Sequence, residues 1–205
     1  MRLIITIQVY RSKQTHATIR YIMREQSWYN PSSVSLLKSG SVVCGPTDTV
    51  YGLLASTDHQ QAIDRIYEIK QRDRTKSLIV LISNTKELKN FGVSDTDVAR
   101  AELYWPAKTS LIINTPNAPR YLTRGKPNLA FRMPDSNMLR KLIFKTGPLV
   151  APSANPEGQI PALSKTQAKN YFGKKVDCYV GSNKVVANSS SVILDLSQQS
   201  VRQVR

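Results

Sequence analysis

The stretch GPLVAPSANPEG (Gly147–Gly158) shows how this chain is built, because an apolar run ends abruptly in small polar side chains. Leu149 to Ala151 are apolar and predict a short buried strand. Ser153 and Asn155 follow between prolines, which hold a loop without adding competing N–H donors. A hydroxyl and an amide in that position suit phosphate oxygens or a ribose. The pattern therefore predicts a polar binding loop at the end of a buried strand.

Short apolar runs of this kind alternate with helical patterns along the rest of the chain. The helical patterns cover 30–40, 59–72, 96–103, 137–145 and 164–172. The strand patterns cover 41–45, 77–83, 110–113, 129–132, 149–151, 176–180 and 191–196. This alternation is typical of α/β domains, and 205 residues are enough for one substantial core. We therefore predict one α/β domain over 30–205, preceded by an N-terminal extension over 1–29.

The chain is strongly basic, with 29 Lys and Arg against 14 Asp and Glu and a net charge of +15. Such a balance favours anionic partners: nucleic acid, nucleotides, or phosphorylated and carboxylated substrates. The excess is concentrated in 98–176, where thirteen basic residues stand against three acids. A solvated basic face and a functional cationic cavity or RNA path both account for it. No apolar run approaches the roughly 18 residues of a membrane span, so we expect no membrane association.

The cysteines and the N-terminus bear on the compartment. Cys44 and Cys178 are far apart and fit neither a C-x-x-C motif nor a zinc site, so we expect both to be buried and reduced in a cytoplasmic protein. The first 24 residues hold five basic side chains and no acid, as transit peptides do. However, Leu3 to Val9 alternates like a strand, and Met23 could be an internal start of translation. An extension without a targeting role is therefore the preferred interpretation.

Four basic residues crowd the end of the second helical pattern, in EIKQRDRTKSLIVLI: Lys70, Arg72, Arg74 and Lys76. Basic residues at the carboxyl end of a helix are favourable on structural grounds alone. Four of them in seven residues, beside only Asp73, exceed what the helix dipole requires, and they would repel one another. A bound polyanion such as a triphosphate is the natural compensation.

Two further stretches place polar residues where the chain leaves an apolar run. CGPTDTVYGLL holds Thr47, Asp48 and Thr49 between a strand and a second apolar run, although a Ser/Thr turn is the simpler explanation of this group taken alone. LAFRMP places Arg132 at the end of a strand. An arginine there can bind a carboxylate or phosphate through two hydrogen bonds, and a surface ion pair accounts for it equally well.

Ser153 does not have the surroundings of a catalytic serine. The histidines of the chain are His16 and His59, and neither lies in a triad-like context. The chain also lacks the G-x-x-x-x-G-K-[ST] and G-x-G-x-x-G phosphate-binding motifs. Any nucleotide must therefore be held by side chains.

These four stretches, in this order, resemble the YrdC-like family of threonylcarbamoyl-AMP synthases, which begin the formation of N6-threonylcarbamoyladenosine in tRNA. The matching motifs extend over about 31–205 and are PTDTVYGL, IKQR…KSLIVLI with its K-x-R, YWP…TSLII, LAFRMP, PLVAPSAN with its S-x-N, and SSSVILDL. The resemblance implies a twisted open mixed sheet with flanking helices around a large cationic cavity. It also implies a nucleotidyltransferase that forms threonylcarbamoyl-AMP and pyrophosphate from ATP, L-threonine and bicarbonate.

The resemblance also implies roles for individual residues. The catalytic residues would be Lys70, Arg72, Ser153 and Asn155. ATP would be bound by Arg72, Lys76, Asn155 and Arg202. L-Threonine and bicarbonate would be bound by Thr49, Arg132, Ser153 and Ser190 or Ser191. Mg²⁺ is expected on the phosphates of ATP, without a separate protein metal site. The further partners expected are tRNA or double-stranded RNA and the downstream threonylcarbamoyl-transferase proteins.

The chain departs from the family pattern in several loops. It has WPAKTS where the family usually has W-P-G-P-x-T, SANPEG in place of S-A-N-x-S-G, and VRQVR without the usual glycine after the arginine. These changes leave a second hypothesis open, a catalytically impaired paralogue that binds double-stranded RNA or tRNA. Binding that weakens steeply with salt, without saturation by ATP, would favour it. A carbamoyl-transfer module of hydrogenase maturation is a third option, but that module normally comes with further domains.

Overall fold

The computed structural model of the chain describes residues 31–182 and 191–204. The helices of this part are α1 (Pro31–Lys38), α2 (Gln60–Lys70), α3 (Asp95–Glu102), α4 (Arg120–Thr123), α5 (Asn137–Thr146) and α6 (Lys165–Phe172). The 3₁₀ helices are Thr85–Phe91 and Gly173–Lys175. The strands are β1 (Val43–Pro46), β2 (Tyr51–Ser56), β3 (Val80–Leu81), β4 (Thr109–Asn114), β5 (Asn128–Arg132), β6 (Leu149–Val150), β7 (Cys178–Tyr179), β8 (Val192–Asp195) and β9 (Arg202–Gln203). The predicted extension over 1–29 lies outside the described residues.

The nine strands of the described chain form one mixed sheet in the order β7-β1-β2-β6-β3-β5-β4-β8-β9. The pairs β1–β7, β3–β5 and β4–β8 are parallel, and the other neighbouring pairs are antiparallel. This order places β5 and β6 on either side of β3, although the three strands come from distant parts of the chain. A twisted mixed sheet with flanking helices confirms the predicted α/β fold class.

Helices cover both faces of the sheet. Since successive side chains of a strand point to opposite faces, they pack into two different cores. On one face Leu54 and Leu81 pack with residues of α1 and α5. On the other face Leu53 and Val80 pack with residues of α2 and α6. The central strands are therefore buried on both sides, and polar groups at their ends are shielded from bulk water.

Short side-chain contacts set the ends of the helices. Ser94, Ser136 and Ser164 each accept a hydrogen bond from the backbone N–H three residues later, which begins α3, α5 and α6. Helix α2 ends because Gln71 adopts a left-handed conformation, with φ of 51°. Arg72 follows this turn, and its backbone N–H donates to the carbonyl of Tyr67 at 3.0 Å.

The predicted helices are all present, each within about two residues of its predicted ends. The predicted strand over 77–83 is shorter in the structure, where β3 comprises Val80–Leu81. Strand β2 was expected only as an apolar run. All six of its residues are buried, so it lacks the alternation of apolar and polar residues that would have marked it as a strand.

Cys44 and Cys178 are buried and carry free thiols, as the sequence predicts. Burial raises the pKa of both thiols. They therefore act as small apolar groups in the core. Within 31–182 and 191–204, no helix has the length and apolar character needed to cross a membrane.

Candidate active site

A cavity of about 500 Å³ lies against the central strands of the sheet. Its walls come from the β1–β2 loop, the segment after α2, the ends of β5 and β6, and the neighbouring strands β4 and β8. The polar side chains that line it are Thr47, Thr49, Arg72, Ser77, Arg132, Ser153 and Ser191. Among the described residues, its charged lining is therefore confined to two arginines from distant parts of the chain.

Arg132, the last residue of β5, is held by an acidic partner. Its Nη2 lies 3.1 Å from Asp48 Oδ1 and 3.4 Å from Thr49 Oγ1. Asp48 Oδ2 also accepts the backbone N–H of Asp135, at 3.3 Å. Arg132 and Asp48 are nearly inaccessible to water, with side chains 4% and 3% exposed. The carboxylate therefore fixes the position of the guanidinium and balances its charge inside the protein.

Thr47 and Thr49 form the Ser/Thr turn considered from the sequence. Thr47 Oγ1 donates to the carbonyl of Val50 at 2.7 Å and accepts the backbone N–H of Thr49 at 3.2 Å. The two threonine hydroxyls are 2.9 Å apart. Thr47 thus makes the turn, and the turn presents Thr49 to Arg132 and the cavity.

Arg72 is the second arginine of the cavity. Its Nη1 lies 4.0 Å from Glu157 Oε1, beyond hydrogen-bond distance, and its side chain is 25% exposed. Its Nε is buried and has no hydrogen-bond partner among the described residues. Arg124 Nε is also buried without a hydrogen-bond partner among the described residues but lies outside the cavity lining, whereas Arg72 is placed where a ligand can accept its hydrogen bond.

Lys70 is predicted to contribute to the same positive wall, but it does not line the cavity. Its Nζ is buried and donates to the carbonyls of Ser153 and Asn155, the second at 2.6 Å. Burial lowers the pKa of Lys70 to about 7, and the charge of Arg72 acts in the same direction, while Glu157 and Cys44 oppose it. Lys70 therefore ties the end of α2 to the loop after β6.

The S-x-N loop divides its two polar side chains between the cavity and the loop itself. Ser153 lines the cavity, and its backbone bridges to Gly52 of β2. Asn155 is buried and lies outside the cavity lining. Its Nδ2 donates to the carbonyls of Pro156 at 3.0 Å and Gln159 at 2.7 Å. Asn155 therefore closes the loop that presents Ser153.

The remaining predicted site residues are placed less centrally. Lys76 is 53% exposed and lies outside the cavity lining. Arg202 is exposed on β9, and the cavity is lined from this segment by Val204. Ser191 lines the cavity and accepts a hydrogen bond from Ser110 Oγ at 3.0 Å. Ser190, the alternative to Ser191, lies outside the described residues.

Sequence reasoning named Asp48 only as a polar residue of a turn and gave Glu157 no role, and it missed that both carboxylates pair with the site's cations. Glu157 Oε1 accepts from Lys76 Nζ at 2.8 Å, and its Oε2 accepts the backbone N–H of Asp73 at 2.8 Å. These two hydrogen bonds lower the pKa of Glu157, and the bond from Lys76 has the larger effect. Both acids lie inside motifs of the sequence, PTDTVYGL and SANPEG. A single acid in a basic stretch was the signal that could have pointed to such ion pairs.

The described residues around the cavity do not form a set of metal ligands. Over the described ranges, no group of three or more His, Cys, Asp or Glu side chains is close enough to hold a metal ion. The two carboxylates near the cations are already engaged with Arg132 and Lys76.

The chain is similar to proteins of known activity. The chain is 35% identical over 156 residues to the threonylcarbamoyl-AMP synthase of Pseudoalteromonas translucida. The aligned region covers 73% of this chain and 83% of that protein. It is 29% identical over 180 residues to the threonylcarbamoyl-AMP synthase of Pyrococcus abyssi, which covers 85% of this chain and 53% of that protein.

The crystal structure of P. abyssi Sua5 complexed with L-threonine superimposes with a TM-score of 0.77 at 28% identity, over 85% of this chain and 52% of that one. The chain thus spans about half the length of the P. abyssi proteins. A family model for Sua5, YciO and YrdC proteins, described as "Telomere recombination", matches residues 35–205. On that match, the chain belongs to the Sua5/YciO/YrdC family.

Proposed function

We propose that this chain is a threonylcarbamoyl-AMP synthase, a nucleotidyltransferase that converts L-threonine, bicarbonate and ATP into threonylcarbamoyl-AMP and pyrophosphate. One observation carries the proposal: Arg72 and Arg132, which are distant in sequence, line one cavity together with the hydroxyls of Thr49, Ser153 and Ser191. The relatives are threonylcarbamoyl-AMP synthases, and P. abyssi Sua5 binds L-threonine, which supports threonine as one of the substrates.

The Arg132 end of the cavity suits the amino acid. A guanidinium presents several N–H donors in one plane, which matches the geometry of a carboxylate or carbamate. The hydroxyls of Thr49 and Ser153 can donate to the remaining oxygens of such a ligand. Because Asp48 fixes Arg132 before the substrate arrives, little reorganisation is needed on binding. We assign L-threonine and its carbamate to this end.

The Arg72 end suits the phosphates of ATP. The guanidinium of Arg72, including its Nε, would donate hydrogen bonds to phosphate oxygens, and the exposed Lys76 would add a second positive charge. Mg²⁺ belongs to this proposal as part of the substrate MgATP, bound to the phosphates. Arg202 stays a predicted ATP contact.

The reaction then needs positioning and charge stabilisation. The threonine amine forms a bond to the carbon of bicarbonate, and loss of water gives the carbamate. A carbamate oxygen then forms a bond to the α-phosphorus, the bond from that phosphorus to the bridging oxygen of the β-phosphate breaks, and pyrophosphate leaves. Carboxylate, carbamate and triphosphate repel one another, so cations at both ends of one cavity bring them together. No enzyme nucleophile takes part. Lys70 and Asn155 act as positioning residues, because they hold the loop that carries Ser153.

The product fits a role in tRNA modification. We place the chain in the cytoplasm and expect the threonylcarbamoyl group to pass to N6 of an adenosine in tRNA through separate transferase proteins. The net charge of +15 favours contact with tRNA.

Threonine-dependent release of pyrophosphate tests the proposal. Purified chain given ATP, L-threonine and bicarbonate should release pyrophosphate, and omission of threonine should stop the release. Arg72→Ala should reduce the rate by roughly 100-fold, since it removes a preorganised charge from the reacting phosphates. Arg74→Ala is the matched control, because Arg74 is exposed, pairs with Asp64 and Glu68, and lies outside the cavity lining.

Two outcomes would contradict the assignment. Pyrophosphate release that does not depend on threonine would show that the chain does not catalyse the proposed reaction. An Arg72→Ala rate equal to that of Arg74→Ala would remove the role given to Arg72. RNA binding that weakens steeply with salt, in a protein without threonine-dependent release, would instead support the paralogue hypothesis.

A further inference from the structure

Glu157 lies where a polyanion would be expected. Its Oε1 is 2.8 Å from Lys76 Nζ and 4.0 Å from Arg72 Nη1, so one carboxylate oxygen faces two basic side chains. These are two of the four crowded cations for which the sequence predicts a bound polyphosphate. An internal carboxylate therefore already compensates part of their charge.

The contacts of Glu157 differ in how firmly they hold it. Its backbone N–H donates to the carbonyl of Lys70 at 2.8 Å, which fixes the main chain of the loop. Its side chain is 29% exposed, and its partner Lys76 is 53% exposed. Ion pairs that are open to water contribute little stability. The carboxylate can therefore leave the two cations, with loss of its hydrogen bond from the backbone N–H of Asp73, while the loop keeps its backbone position.

We propose that Glu157 is an internal counter-anion which the phosphates of ATP displace, so that its carboxylate lowers the affinity of the Arg72–Lys76 pair for polyphosphate. The inference rests on the proposed function only in assigning Arg72 to the phosphates. Glu157 lies 4.0 Å from Arg72 and 2.8 Å from Lys76, so it would repel a phosphate bound to these two residues, whereas its departure frees both basic groups for the ligand. Glu157 thereby sets how much anionic charge a ligand needs in order to bind.

Binding of inorganic tripolyphosphate to Glu157→Gln tests this role without any turnover. Glutamine retains an oxygen that can accept the N–H of Asp73, so the variant changes the charge and keeps that contact. We expect the variant to bind tripolyphosphate roughly tenfold more tightly than the wild type in titration calorimetry at low salt. Glu157→Ser, which shortens the side chain as well, should shift the affinity in the same direction.

Glu68→Gln is the matched control. Glu68 lies on α2, is 67% exposed and pairs with Arg74, outside the cavity lining, so its removal changes the net charge by the same amount. We expect its tripolyphosphate affinity to stay within about twofold of the wild type, because exposed charges are screened by the solvent.

Equal or weaker binding by Glu157→Gln would overturn the proposal, as would a failure of both proteins to bind tripolyphosphate. These outcomes are separate from a failure of the proposed function. If Glu157 has no such role, the wild type still releases pyrophosphate in response to threonine. If the synthase assignment is wrong, Glu157→Gln still binds tripolyphosphate more tightly.

Discussion

Arg132 and Asp48 form an ion pair from which water is almost excluded, and both belong to the cavity end that we assign to threonine. Removal of one member of such a pair leaves a buried charge without compensation. We expect Asp48→Asn to lower the free energy of unfolding by about 3–5 kcal/mol. Urea denaturation followed by circular dichroism measures this loss.

Asp97→Asn provides the comparison for that variant. Asp97 pairs with Arg100 at 3.1 Å, but the side chains are 22% and 28% exposed, so the same substitution should cost less than about 1 kcal/mol. Similar losses in the two variants would show that the Asp48–Arg132 pair contributes no more than an ordinary surface contact.

Individual site residues were predictable where the chain leaves a strand. Thr49, Arg132 and Ser153 lie at such positions and line the cavity. Lys70 and Asn155 come from equally good motifs, yet their side chains bond to carbonyls of the loop after β6. The partners of Lys70 are more than eighty residues away in sequence, so the local pattern does not encode them. The partners of Asn155 are one and four residues away, but an amide in a loop can bond to its own loop or to a ligand, and the pattern does not distinguish the two.

Lys70 connects helix α2 to the loop after β6, and its protonation makes the stability of the fold depend on pH. The folded-state pKa of Lys70 is about 7, against an ordinary value of 10.5, so between these values the unfolded chain holds a proton that the folded chain has lost. Raising the pH through this window therefore favours folding. A neutral amine still has two N–H groups for the carbonyls of Ser153 and Asn155.

Lys70→Met isolates this effect. The free energy of unfolding of the wild type, relative to the variant, should rise between pH 7 and pH 10 by up to about 1.4 kcal/mol per pH unit and level off below pH 7. Guanidinium denaturation over that pH range provides the values. Lys38→Met, which removes an exposed lysine from the last turn of α1, should show no such rise. A constant difference between the wild type and Lys70→Met would contradict the account.

Elements with a clear pattern were predicted, and elements shaped by their neighbours were not. The five helical patterns carried caps or apolar spacing, such as Ser164 before α6 and Gly173 after it. Strand β2 and the short strand β9 carried neither signal. Burial on both faces removes the alternation from β2, and β9 is only two residues long and depends on pairing with β8.

The order of the strands explains why distant motifs meet. Strand β3 lies between β5 and β6, with Leu81 paired to both Arg132 and Leu149. Because β5 runs parallel to β3 and β6 runs antiparallel to it, the end of β5 lies beside the start of β6. Strand β2 runs antiparallel to β6, and Gly52 bridges to Ser153, so the Thr47–Thr49 turn that precedes β2 lies beside the end of β6. The cavity is therefore a property of the whole sheet, and the ordered motifs predicted it only through the family resemblance.

The central claim is that a single cavity holds both the amino acid and the nucleotide. A crystal structure of the chain with L-threonine, bicarbonate and an ATP analogue that cannot be cleaved between its α- and β-phosphates tests this most directly. We predict the threonine carboxylate within hydrogen-bond distance of Arg132 and the phosphates within hydrogen-bond distance of Arg72, with the Glu157 carboxylate moved away from Lys76. Ligands bound in separate places, or a cavity that stays empty while the analogue binds elsewhere, would contradict the account.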